Sequence, residues 1–428
     1  MVRQKTWKTS LLDLEQIRHG LQQAVVNHPD GLLLDTNGWN DAYGKYELLA
    51  GWGNLGSVQI TAGDQDWKPA IRSFTRRAET FHLFRCNYEF RHSIESGGSR
   101  HKDERALHGL YVWRPAVVVR VEDGTLTIMV QGGKKGPSTV FNDLLRTAET
   151  GGHESCTLAP CQYREDYIDA VQQMLQHIHR GDIYEANYCT EFAGTAAIDP
   201  LQVYRKLCKA IQPPMSALGR WNDDLLISAS PERYLAKRGN RIISQPIKGT
   251  AARYADPDQD KASAVALEAS QKERSENVMI VDLVRNDLSR TAQKGSVQVP
   301  RLLESVPFSQ VHHLVSTVTS ALREDKDLWD VLETTFPMGS MTGAPKISAM
   351  QIIDALEQQS RKLYSGTVGY LDVDGDWDSS VIIRSALYNQ STQRVSVSVG
   401  SAITAASDPA AEYDECLLKA GALQRALS

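Results

Sequence analysis

RIISQPIKGTAARYADPDQDKASAVALEASQKERSENVMIVDLVRND, Arg241 to Asp287, contains the elements from which the fold is read. Arg241 to Pro246 reads as a strand, with Ile242 and Ile243 at its centre, and it ends in the turn Ile247-Lys248-Gly249-Thr250. From about Asp258 to Asp287 the pattern predicts one long helix. Glu273 and Glu276 are three residues apart and project from one face of that helix. The apolar run Val278-Met279-Ile280-Val281 follows at once, so these carboxylates border a core segment and need partners or a metal.

The same alternation of element types continues in both directions. Downstream, Gly366 to Val373, Ser379 to Tyr388 and Arg394 to Ile403 read as strands, a helix follows Pro345, and Glu412 to Leu427 reads as a closing helix. Upstream, Tyr167, Ile168, Val171, Met174, Leu175 and Ile178 mark a helix that Gly181 can end. Asp182 to Phe192 and Leu225 to Ser230 read as strands. Before residue 150 the chain is rich in aromatics and turns, with Gly31 to Asp35 and Tyr111 to Trp113 strand-like. Ala116 to Val121 and Leu126 to Val130 form a hairpin through Glu122-Asp123-Gly124. Gly132 to Pro137 reads as a loop and Thr147 to Pro160 as a polar linker. Runs of strands with long helices between them predict an α+β protein, a double antiparallel sheet covered by helices. Residues 1–150 complete the fold, 151–163 link, and 164–428 carry the catalytic region, all in one compound domain.

Composition narrows the class. The 428 residues include 47 Lys and Arg against 52 Asp and Glu, a net charge of −5, which argues against a nucleic-acid partner. No apolar run is long enough to span a membrane, and the N-terminus lacks the apolar core of a signal peptide, so a cytoplasmic protein is expected. Six scattered cysteines, without a CxxC pair, predict reduced thiols rather than disulfides or structural zinc.

Four further segments could carry chemistry. Glu412, Glu415 and Lys419 share a face of the closing helix, a second oxygen-rich site of the kind that suits Mg²⁺. Lys248 lies behind an apolar strand, where a depressed pKa would leave a neutral amine to act as base or nucleophile. Phe336 to Lys346, FPMGSMTGAPK, is a glycine-interrupted turn feeding a helix whose N-terminal N–H groups could hold an anion, although it lacks P-loop spacing. Gly400 sits within a strand, where a glycine often marks close approach of a ligand. Of His312 and His313, one is expected to face inward.

Taken in order, GDIYEANYC, SASPERYL, SQPIKGT, KERSENVMIVDLVRNDLSR, HHLVSTV, FPMGSMTGAPKISAMQIID, SGTVGYL, VIIRSAL and GSAITAASDPAAEYDECLLKA resemble the chorismate-utilising enzymes from Arg164 to the C-terminus. That resemblance implies Mg²⁺ held by Glu276 and Glu415, with Glu273 and Glu412 beside them holding waters. It implies Glu232 as the general acid that protonates the departing 4-hydroxyl of chorismate. It implies Arg384, Tyr370 and the backbone near Gly400 as binders of the enolpyruvyl carboxylate, with Gly249, Thr250, His313 and Lys419 lining the same pocket.

Two positions discriminate within the family. Where isochorismate and salicylate synthases have a water-activating lysine, this chain has Glu185, which argues against water addition at C2. Where anthranilate synthases usually read PIAGT, this chain reads PIKGT, in which it resembles the aminodeoxychorismate synthases of the family. Lys248 is then the expected nucleophile at C2, with ammonia displacing it at C4. Anthranilate synthase component I is the nearest alternative, and a non-catalytic chorismate-binding homologue a more remote one. No glutamine amidotransferase segment is recognisable in the chain, so a separate glutaminase subunit is implied as the ammonia source. Some relatives mark a tryptophan site with Leu-Leu-Glu-Ser; Leu33-Leu34-Asp35-Thr36 departs from it, and feedback regulation is not expected.

Overall fold

Two large antiparallel sheets face each other, and strands from both halves of the chain enter each of them. This architecture is seen in a computed structural model that describes residues 2–76, 80–95, 109–133, 135–146 and 151–428. Among the described residues the first sheet has twelve strands and the second ten. In the first, Asp30–Asp35 pairs with Met215–Trp221, and the order runs on through Asp224–Ser230, Ser385–Asn389, Arg394–Thr404 and Glu185–Thr195. In the second, His82–Cys86 pairs with Thr367–Leu371, followed by Trp377–Val381, Arg233–Arg238, Arg241–Ser244 and Val311–Ala321, with Ile247–Ala252 at its edge. Strands from before residue 150 therefore enter both sheets.

Between the sheets lies a layer that includes Leu32, Leu83, Trp113, Leu226, Val368, Tyr370 and Leu387. Helices cover the outer faces. Arg164–Arg180 and Pro409–Leu427 bury Tyr167, Met174, Tyr413 and Cys416 against the first sheet, while Gln271–Ser289 lays Ile280, Val281 and Val284 against the second. Each face removes a contiguous apolar stripe from water, which is the main force assembling the layers.

Several sequence expectations are corrected. The predicted helix Asp258 to Asp287 is two helices, Pro257–Ala269 and Gln271–Ser289. Ser270 leaves helical geometry at ψ 114°, and its hydroxyl accepts from Glu273 N–H, so an N-cap breaks the run. The predicted strand Ser379 to Tyr388 is two strands in different sheets, Trp377–Val381 and Ser385–Asn389. The chain crosses at Ile382 to Arg384, with Ile382 N–H bonded to Gly366 O and Arg384 at φ +48°. The hairpin at Asp123-Gly124 is confirmed, both residues having positive φ. In the loop 132–137, residue 134 lies outside the described residues, and Pro137 already begins the helix Pro137–Leu144. Of the expected linker Thr147 to Pro160, residues 147–150 lie outside the described residues, and Ala159–Pro160 forms a short strand.

Candidate active site

Glu185 opens the first-sheet strand Glu185–Thr195, and Lys248 lies on the edge strand of the second sheet. A register shift between Ile247 and Thr250 interrupts that edge strand, and Gly249 at φ +88° makes the interruption possible. The result directs Lys248 inward, where its Nζ lies 2.5 Å from Glu185 Oε1. Glu185 is 1% exposed, and its other oxygen has no hydrogen-bond partner among the described residues.

This pair corrects the expectation of a depressed lysine. Burial alone would lower the pKa of Lys248, but the Glu185 carboxylate outweighs it, helped by Glu276 and Glu232, and holds the ammonium above its ordinary value. The amine therefore needs a proton acceptor before it can act as a nucleophile, and Glu185 is in contact with it.

Glu232 lies between the strands Asp224–Ser230 and Arg233–Arg238, its N–H donating to Ser230 Oγ at 3.2 Å. Burial pushes its carboxyl up to about 7, against the lowering effects of Ser340, Lys248 and the Ile247 N–H. A carboxyl so placed is partly protonated at neutral pH, as an acid catalyst needs to be. Glu276 on the helix Gln271–Ser289 is also raised to about 7, by burial and by the like charges of Glu185 and Glu273, while Lys248 opposes the rise. Glu273 stands against the turn, for a Cβ on Gly249 would come within 3.0 Å of its Oε2.

The other wall comes from His313 and Arg384. His313 Nδ1 lies 3.0 Å from Thr250 Oγ1 and 3.2 Å from Gly249 O, and its Nε2 lies 3.5 Å from Arg384 Nη2. Burial and the Arg384 charge lower His313 to about 4, so the ring is neutral at pH 7. His312 points elsewhere, to Asp260 at 3.0 Å.

Glu415 and Lys419 form an exposed ion pair of 2.7 Å on the closing helix, and Lys419 also donates to Gly400 O at 2.7 Å. Glu412 is buried and accepts a hydrogen bond from Ser401 Oγ. Gly400 has a packing reason of its own, since a Cβ there would lie 2.3 Å from Asn187 Oδ1. The turn before Lys346 is pinned through its backbone, Asn187 Nδ2 donating to Ser340 O, and Lys346 Nζ lies 2.5 Å from Asp287 Oδ2.

The structure thus brings Glu185, Lys248, Glu232, Glu273, Glu276, Gly249, Thr250, His313 and Arg384 into one connected set. Gly400, Glu412, Glu415 and Lys419 make a second, linked to the first because Gly400 pairs with Cys189 on the strand that Glu185 opens. Tyr370 belongs to neither. Its ring packs 5.2 Å from Tyr46 in the layer between the sheets, and its charged neighbours are Asp378, Arg238 and Asp372. The phenol that neighbours Arg384 is Tyr364, just before the strand Thr367–Leu371. Tyr364 was not singled out from the sequence, although it stands directly before the SGTVGYL segment.

A family model described as chorismate binding enzyme matches residues 32–425. Aminodeoxychorismate synthase component 1 of Klebsiella aerogenes is 45% identical over 252 residues, covering 59% of this chain and 55% of that protein. A protein named anthranilate synthase component 1 2, of Haloarcula marismortui, is 42% identical over 255 residues, covering 59% and 47%. The chain aligns with about half the length of these relatives. In fold it resembles the crystal structure of anthranilate synthase component I from Streptococcus pneumoniae TIGR4, with a TM-score of 0.79, 23% identity and 90% and 94% of the two chains covered.

Proposed function

Because the chain belongs to the chorismate binding enzymes, we propose that it converts chorismate and ammonia to 4-amino-4-deoxychorismate, the activity of an aminodeoxychorismate synthase component I. The observation that carries this reading is the contact of Lys248 with Glu185, with the Glu232 acid close enough to act on the same lysine electrostatically. Where anthranilate synthases usually have an alanine in PIAGT, this chain has that lysine.

The groups suit two successive displacements. Glu185 accepts a proton from the Lys248 ammonium, and the freed amine attacks C2 of chorismate. The ring electrons shift as the C4–O bond breaks, and Glu232 protonates the departing hydroxyl, which leaves as water. Ammonia then attacks C4, the C2–N bond breaks, and Lys248 departs as an amine that can recover its proton from Glu185. The Arg384 guanidinium supplies a fork for the enolpyruvyl carboxylate, and a neutral His313 leaves that charge free for the substrate.

We also propose Mg²⁺ as the cofactor. The donor set fits: Glu276 is half-buried among like charges, a condition a divalent cation relieves, and all the donors are oxygens. Among the described residues no three His, Cys, Asp or Glu groups already form a cluster that could hold a metal. By the family resemblance Glu276 and Glu415, one from each set, would hold the ion, with Glu273 and Glu412 behind waters. Once bound, it would neutralise the ring carboxylate and make the diene a better electron acceptor.

The nitrogen source in this reading is a glutamine amidotransferase subunit, which free ammonia could replace. A cytoplasmic setting accords with six unpaired cysteines and with the lack, among the described residues, of any helix long and apolar enough to cross a membrane. Product analysis tests the proposal. With chorismate, ammonium and Mg²⁺ the expected result is no anthranilate fluorescence, and 4-aminobenzoate only after a separate lyase is added. Formation of anthranilate and pyruvate would replace this reading with anthranilate synthase, and absence of turnover would favour a binding homologue.

A further inference from the structure

Ser340 lies at the bottom of the turn Gly339–Met341, 7% exposed, and its Oγ donates to Glu232 Oε1 at 2.7 Å. Three hydrogen bonds hold the turn. Asn187 Nδ2 donates to Ser340 O at 3.2 Å, Asn187 N–H to Thr342 O at 2.7 Å, and Arg361 Nη1 to Met341 O at 2.6 Å. A small cavity behind the carboxyl is lined by Ser340, Thr335, Met338 and Asp287.

We infer that Ser340 is the positioning residue for proton delivery by Glu232: its hydroxyl claims Oε1, so the acid's proton is carried on Oε2. This rests on Glu232 being the general acid of the proposed reaction. A serine hydroxyl has a single proton to donate. When that proton is committed to Oε1, the carboxyl cannot rotate freely or place its own proton on the same oxygen. In the step itself the Oε2–H bond breaks, the proton passes to the 4-hydroxyl oxygen, and C4–O breaks with its electron pair to release water. The new carboxylate is then met by the Ser340 hydroxyl, which is already aimed at it, so no reorganisation is needed.

The other charged groups around Glu232 have partners. Lys248 is paired with Glu185, Asp287 with Lys346, and Arg233 with Asp41 and Asp378. Ser340 is thus the side-chain hydrogen bond that can be removed without leaving a buried charge unpaired.

The test is a difference-infrared titration of the protonated-carboxyl band, assigned to Glu232 by its loss in Glu232→Gln, together with the alkaline limb of kcat/KM for chorismate. A donor to the carboxylate favours the charged form, so Ser340→Ala should move both midpoints upward from about 7 by about one pH unit and lower kcat about tenfold. Ser340→Thr, which keeps the hydroxyl, should restore both. Ser340→Cys, a weak donor, should move the midpoints the same way as alanine and serves if the alanine variant misfolds. A band assigned to Glu232 that neither variant moves would overturn this inference alone. A limb that survives Glu232→Gln would overturn the acid assignment, and this inference with it.

Discussion

Lys248 Nζ and Glu185 Oε1 meet at 2.5 Å although their strands belong to different sheets. The contact is long-range, 63 residues apart in sequence, and it sets the protonation state of the group on which the proposed chemistry turns.

Removing the acid should therefore release the base. In Glu185→Gln the burial that lowers Lys248 acts with less opposition, and the amine should titrate at lower pH than in the parent. Rates of modification by a small amine-directed reagent, followed against pH, measure this directly. An unmoved midpoint would show that Glu185 does not hold the ammonium.

Lys248→Ala should abolish amination at C4, lowering formation of 4-amino-4-deoxychorismate by about 10²-fold or more, the scale of losing a principal catalytic group. The product is read by coupled conversion to 4-aminobenzoate. Amination at the parent's rate would remove the covalent role.

Glu232 makes stability depend on pH. The folded chain holds its proton more tightly than the unfolded chain, whose carboxyl has the ordinary value of 4.5. The stability it contributes is then present below that value and lost as pH rises through about 7. Glu232→Gln should be more stable than the parent at pH 8 by roughly 3 kcal/mol and nearly equal to it at pH 4.5. Urea unfolding at the two pH values decides the matter.

Glu276→Gln should weaken Mg²⁺ binding at least about tenfold, seen by titration calorimetry without substrate, and should remove Mg²⁺-dependent turnover. Parent-like affinity would exclude Glu276 as a ligand.

Tyr364 and Tyr370 separate cleanly. Tyr364→Phe should raise KM for chorismate about fivefold, the scale of one hydrogen bond to the bound substrate, because Tyr364 neighbours Arg384, the proposed carboxylate binder. Tyr370→Phe should leave KM within about twofold, because Tyr370 packs against Tyr46 away from that guanidinium. Equal effects would return Tyr370 to the pocket.

Much of this protein could be read from local patterns. The α+β class, the hairpin at Asp123-Gly124, the closing helix and the carboxylate pair Glu273 and Glu276 follow from periodicity, turn chemistry and spacing, all of which act over a few residues. The motif series from GDIYEANYC to the C-terminus also named Lys248, Glu232, Glu273, Glu276, His313 and Arg384, which the fold brings into one connected set. Other local signals are weaker: Ser270, three residues before Glu273, is the N-cap that breaks the long helix, and Tyr364 stands directly before SGTVGYL.

Tertiary structure decided the rest, because it depends on which groups share a buried space. Lys248 taken alone suggested a depressed amine, and only the fold put Glu185 beside it and reversed the direction of the shift. Strand geometry turned Tyr370 into the inter-sheet layer, and the crossing between sheets at Ile382 to Arg384 carried the guanidinium to His313. Sequence determined which chemical groups are present and in what order; the two sheets, closing on one another, determined their charges and partners, because Coulomb and desolvation energies depend on distance in space and not on separation along the chain.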